Sequence, residues 1–108
     1  FDAAPMGMIG LETALGLAVR ELVCPKHITW STLVERMSLA PARILGLLNK
    51  GEIAEGKDAD LILVDPEKEW VFEKKNIVSR SKNSPFIGET LKGSVEMTMC
   101  SGKVIYQA

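Results

Sequence analysis

The stretch from Gly51 to Asp65 divides this chain into halves of different periodicity. Leu61-Ile62-Leu63-Val64 is a short unbroken apolar run between Asp60 and Asp65-Pro66, the pattern of a strand buried on both faces. Gly51 and Gly56 each suit the positive φ of a tight turn, a geometry that a β-carbon resists. Ile53 is the strongly apolar residue between them, so the piece is predicted as a small anchored turn feeding a strand. Helical periods precede it and strand and turn signals follow it, which makes the chain α+β with helices first.

Leu11 to Val23 is the best helical segment, with Leu11, Ala14, Leu15, Ala18 and Leu22 on one stripe. Leu17 and Val19 widen that stripe, and a helix so apolar needs neighbours on two sides. Pro25, after Cys24, ends it. Thr29 is the expected N-cap of a second helix reaching about Met37, with Leu33 and Met37 facing inward. A third short helix is expected from Pro41 to Gly46, with Ala40 as a weak cap.

In the second half, Trp70-Val71-Phe72 reads as a strand and Lys74 to Lys82 as a charged surface segment. Ser81 to Gly88 is turn-rich but carries an apolar pair, Phe86-Ile87, that is expected to be buried. Val95, Met97 and Met99 alternate with Glu96, Thr98 and Cys100, Ser101-Gly102 supplies a two-residue turn, and Val104-Ile105-Tyr106 returns. That alternation predicts a hairpin with one dry and one wet face.

Charge excludes several functions. Net charge is −1, and residues 1–48 carry four basic and four acidic side chains, so neither half offers the positive field that nucleic acid or an anionic membrane requires. No apolar run approaches the ~18 residues of a membrane span. Two cysteines far apart do not make a disulfide framework and no signal peptide is visible, which points to a reducing cytoplasm. The chain begins at Phe1, without a methionine, and is expected to be a piece of a longer polypeptide.

Three blocks carry a resemblance. Gly56-Lys57-Asp58-Ala59-Asp60-Leu61-Ile62-Leu63-Val64-Asp65, preceded by Ala40-Pro41-Ala42-Arg43-Ile44-Leu45-Gly46-Leu47, resembles the C-terminal signature of the amidohydrolase superfamily, metal-dependent hydrolases of cyclic amides and related substrates. Ala4-Pro5-Met6-Gly7 through Gly10-Leu11-Glu12-Thr13 resembles the segment that closes over substrate in dihydroorotases. Lys82-Asn83-Ser84-Pro85-Phe86, with Leu91-Lys92-Gly93, resembles a loop of dihydroorotases and allantoinases. The resemblance implies the last helices of a TIM barrel in residues 1–48, with a substrate loop at 1–10, followed by part of a C-terminal β-sandwich in residues 49–108. It also implies that the backbone of Met6 and Gly7 contacts dihydroorotate. Phe or Pro is commoner than Met at the first of these positions, a difference that a backbone contact tolerates.

The same resemblance implies a pair of zinc ions, held by a His-x-His, a carbamylated lysine, two further histidines and an aspartate, which polarise the amide and lower the pKa of a bridging water. An aspartate just upstream of Phe1 would shuttle the proton. His27 is the single histidine, so no catalytic or metal-ligating residue is assigned here and the zinc ligands are expected outside these residues. Cys24-x-x-His27 has the spacing of half a zinc knuckle without a second pair; a helix-end cysteine packed in a core and a surface histidine are expected instead. Neither cysteine is marked as a nucleophile, Asp58, Asp60 and Asp65 read as turn residues around a strand, and Met97 and Met99 read as packing.

The implied activity is interconversion of N-carbamoyl-aspartate and dihydroorotate in pyrimidine biosynthesis, with these residues alone inactive. Expected partners are that small-molecule substrate, the rest of a parent barrel and a second copy of the chain. The alternatives are allantoinase or dihydropyrimidinase parentage, or a non-catalytic module whose β half binds a partner such as aspartate transcarbamoylase.

Overall fold

A computed structural model describes residues 2–3 and 7–108 of the chain. Helix α1 (Ala14–Ala18) runs on as a π-helical turn, Val19–Val23; α2 (Trp30–Val34) runs on as a second, Glu35–Leu39, directly into α3 (Ala40–Ile44). Strands β1 (Leu61–Val71), β2 (Thr90–Cys100) and β3 (Lys103–Gln107) then form an antiparallel sheet in the order β1-β2-β3, with a 3-10 turn at Lys74–Asn76. Helices thus come first and strands second, as the periodicity predicts.

The first helix buries a different face from the predicted one. Thr13, Gly16 and Val19 are buried, whereas Leu11 lies before the helix at 97% exposure. Small residues win because the helix lies directly on β2. A β-carbon added at Gly16 would stand 3.0 Å from Leu91 Cβ and 3.3 Å from the Trp70 ring, and one added at Gly93 would stand 3.1 Å from Val19 Cγ2. Leu15 and Leu17 flank the contact half-buried.

Both π turns sit just before a proline. In each, an amide reaches back five residues, Cys24 to Val19 and Ala40 to Glu35. The widened turn accommodates a residue that cannot donate and whose ring crowds the preceding turn. Consequently Pro41 does not begin a separate helix: Leu39 and Ala40 are helical, and Ala40 is no cap. Thr29 does cap, its hydroxyl accepting the Thr32 amide at 3.1 Å, and Gly46 (φ +69) closes the end, with Leu47 N bonding Ala42 O at 2.8 Å and Gly46 N bonding Arg43 O at 3.1 Å. Of the two residues expected inward, Leu33 is buried and Met37 is not.

The turn after α3 is anchored by backbone, not by Ile53, which is 88% exposed. Gly51 (φ +92) presses on the helix so closely that a β-carbon there would lie 2.7 Å from Ala42 Cβ, and Ser38 Oγ donates to Gly51 O at 3.3 Å. The Lys57 ammonium donates to Leu48 O.

β1 joins the two predicted strands into one. It passes Pro66 because the register slips between Asp65 and Glu69, where the Asp65 carboxylate accepts the amides of Glu67 (2.9 Å) and Lys68 (3.1 Å). An edge strand with a bulge tolerates proline. That edge position also corrects the expectation of burial on both faces: Ile62 and Leu63 are more than half exposed. The β2–β3 hairpin turns on Ser101 (φ +48) and Gly102 (φ +77), a type I′ geometry. Its predicted dry face is absent, since Ser94 to Met99 are all half-buried and β3 is exposed throughout.

The core is Phe72, Ile77 and Leu91, with Ile9, Leu17, Trp70 and Phe86 packed around it. Trp70 meets Phe72 edge-on at 6.1 Å and donates its indole N–H to Gly93 O at 3.0 Å. Phe86 therefore packs as expected, while its neighbour Ile87 is 40% exposed. Ile77 turns the predicted surface segment inward at one point. This core underlies both the loop before α1 and the segment 77–86.

Candidate substrate loop

Met6 lies outside the described residues; Gly7 is described, exposed, at φ +121. A β-carbon on Gly7 meets no atom within 4 Å among the described residues, so backbone conformation and not crowding calls for glycine here. Space for a ligand to approach the backbone is left open. The loop then turns into α1 through Gly10, whose carbonyl accepts the amides of Thr13 (3.2 Å) and Ala14 (2.9 Å) and the Thr13 hydroxyl (3.3 Å).

Two residues that sequence reasoning did not assign a role hold this loop. Asn83 donates its side-chain amide to Gly7 O and accepts the Ile9 amide on its own carbonyl at 3.0 Å. Glu12 spreads its carboxylate over two successive amides, Val78 N to Oε2 and Ser79 N to Oε1, both at 3.0 Å. A carboxylate accepting two backbone amides is a strong, directional contact. Lys82 donates to Ile77 O, Ser81 Oγ accepts the Asn83 amide (3.3 Å) and Ser84 Oγ accepts the Phe86 amide (3.2 Å), so the strap that carries Asn83 is itself fixed. The described residues of the two blocks that resemble dihydroorotases, far apart in sequence, are thus joined by hydrogen bonds.

The other candidates resolve as structure. Lys50 pairs with Asp58 (3.0 Å) and with Asp60, and Asp60 Oδ1 caps the hairpin by accepting the Ser101 amide at 2.7 Å. The Lys50 ammonium and then the Ser101 amide hold the Asp60 carboxyl below its ordinary value, and the two carboxylates hold Lys50 above its own. A depressed carboxyl stabilises the fold above its unfolded pKa and loses that contribution as pH falls through the folded one; a raised ammonium loses its contribution only at alkaline pH. Stability is therefore expected to be flat from about pH 5 to 9 and to decline below about pH 4. Thermal melts of Asp60→Asn across pH should show a shallower acid limb than wild type; identical limbs contradict this role.

Cys24 and Cys100 are free and exposed, so Cys24 is not packed in a core as expected; it caps a helix end in solvent. His27 is exposed, and Met97 and Met99 are half-buried in β2. Among the described residues no three His, Cys, Asp or Glu side chains lie together in a group able to hold a metal ion. No described helix is long and apolar enough to cross a membrane. A concavity of about 810 Å³ lies away from the loop, between α2 and the sheet; Trp30, Leu33, Met37, Val64, Val95 and Met99 make it mainly apolar, with Asp60 and Cys100 at its wall.

The sequence profile of the amidohydrolase family matches residues 2–105. The chain belongs to the amidohydrolase family. Among curated amidohydrolase relatives, the dihydroorotase of Clostridioides difficile (strain 630) is 44% identical over 108 residues, all of this chain and 25% of its own length. That of Elusimicrobium minutum (strain Pei191) is 48% identical over 104 residues, 96% of this chain and 24% of its own. Among solved structures, the L-hydantoinase (dihydropyrimidinase) from Arthrobacter aurescens superposes with a TM-score of 0.90 at 32% identity, over 96% of this chain and 23% of that one. The chain spans about a quarter of the length of these relatives.

Proposed function

We propose that the whole protein is a dihydroorotase, a cyclic amide hydrolase interconverting N-carbamoyl-aspartate and dihydroorotate, and that Met6 and Gly7 line its substrate pocket through their backbone. The observation that carries this reading is the joining of the Gly7 loop to the Asn83 strap, because both blocks resemble dihydroorotases and each is held by the other. The identity to dihydroorotases over the full length of the chain supports it.

In this reading residues 1–48 are the last helices of a (β/α)8 barrel and residues 49–108 are part of a β-sandwich, matching the change from helix to strand between Ile44 and Leu61. Two zinc ions per enzyme supply Lewis acidity from ligands outside these residues. What these residues do is hold the loop, present its backbone and keep it from collapsing, with Gly7 open on its outer side. The cytoplasm is the expected compartment.

The test is hydrolysis by the full polypeptide. L-dihydroorotate should be turned over, with activity lost on chelation and restored by zinc. Turnover of hydantoin or dihydrouracil with none of dihydroorotate would favour the dihydropyrimidinase reading, which the likeness to the Arthrobacter aurescens enzyme keeps in view.

Exposed apolar side chains give a separate expectation. Leu11, Ile44, Leu48 and Ile53 are each more than 80% exposed, and large apolar patches drive association. The 108 residues in isolation are expected to self-associate and to bind a dye specific for apolar surface. A strictly monomeric, dye-silent species in light scattering at high concentration contradicts this.

A further inference from the structure

We propose that Asn83 is the positioning residue for the Gly7–Met8 peptide, and that Glu12 locks the strap from which Asn83 reaches it. This rests on the reading of Gly7 as a substrate-contacting position. The two contacts from Asn83 fall on either side of Met8, at Gly7 O and Ile9 N, so they fix both peptide planes around it. A trans peptide points its C=O and N–H in opposite directions. Holding Gly7 O toward Asn83 therefore turns the Met8 N–H to the other side, where it has no hydrogen-bond partner among the described residues. Gly7 itself sits at φ +121 with open space beside it, so without Asn83 nothing described selects one orientation of this peptide over its flipped alternatives.

Glu12 makes the strap rigid enough for this. Its two oxygens take the amides of Val78 and Ser79, and Glu12 stands at the head of α1, immediately after the loop. Loop, helix start and strap thereby form a closed circuit of hydrogen bonds whose outward product is one oriented peptide N–H. Such a donor suits a carbonyl or carboxylate oxygen of a cyclic amide acid. Asn83 acts through the Gly7 peptide and does not itself touch substrate.

The experiment uses the full polypeptide, zinc-loaded, with L-dihydroorotate as substrate. Asn83→Ala is expected to raise KM about tenfold with kcat changed less than about threefold, the pattern of a lost binding contact. Asn83→Asp places an acceptor against Gly7 O and should raise KM at neutral pH at least as much. Its KM relative to wild type should then fall as pH drops toward the carboxyl pKa, where a protonated carboxyl can donate. Glu12→Gln should raise KM less than Asn83→Ala, because one of its two acceptors remains. Thermal midpoints of the variants report folding separately. An unchanged KM in Asn83→Ala, or a loss confined to the folded fraction, overturns the inference. Gly7→Ala separates the two levels: if it raises KM while Asn83→Ala does not, only this inference fails, and if neither moves KM the substrate-loop reading fails with it. Absence of dihydroorotate turnover in wild type overturns both.

Discussion

Gly51→Ala is expected to destabilise the fold by about 3 kcal/mol, from two separable causes. At φ +92 an L-residue is strained by roughly 1–2 kcal/mol. Its new methyl would also sit 2.7 Å from Ala42 Cβ and 3.2 Å from Leu39 Cα and Ser38 O, where overpacking adds roughly 1–3 kcal/mol. Neighbouring backbone cannot swing away as the tip of a flexible side chain can. Ala42→Gly in the same chain should recover part of the loss by removing the nearest contact, and none of the φ strain. Gly56→Ala is the control, since Gly56 has positive φ but nothing within 4 Å, so it should lose only the strain. Chemical denaturation measures all three variants; equal losses at Gly51 and Gly56 would show that the close approach to α3 contributes nothing.

Phe72→Ala is expected to cost about 4 kcal/mol. Phe72 is 1% exposed, stacks edge-on against Trp70 and packs with Ile77 and Leu91. Its backbone also ties the strap, with Phe72 N bonding Glu89 O at 3.0 Å and Gly88 N bonding Phe72 O at 2.8 Å. Because Ile9 and Phe86 rest on the same core, the cavity should loosen the loop as well as lower global stability. Hydrogen exchange is expected to accelerate at residues 77–86 more than in the β2–β3 hairpin. Uniform acceleration across the sheet would show that the core does not single out the strap. Ile53→Ala, at an 88% exposed position, should change stability by less than about 0.5 kcal/mol.

Local chemistry was legible in the sequence. The Thr29 cap, the Gly46 helix end and the Ser101-Gly102 turn each depend on a few adjacent residues, and each forms as read. The buried face of α1 was not legible, because periodicity weights large apolar side chains and the decisive property was smallness: Gly16 and Thr13 let the helix reach Leu91 and Trp70. Pro66 read as a strand break because nothing local reveals a bulge that excuses it from pairing. Pro41 likewise read as a helix start, although a π turn carries the helix through it. Ile62, Leu63 and Met37 read as interior from hydrophobicity alone, which says nothing about whether a layer lies opposite. At the site, the motif blocks pointed to Gly7 but gave no role to Asn83 or Glu12. Their partners stand 66 to 76 residues away, beyond any window of local pattern.

A structure of the zinc-loaded full polypeptide with L-dihydroorotate bound tests the account most directly. The ligand is expected to place an oxygen about 3 Å from a backbone amide at or beside Gly7, with the Asn83 side chain still on Gly7 O. A ligand bound without contact to residues 6–8, or seated in the apolar cleft between Trp30, Met37 and Val95, would contradict it.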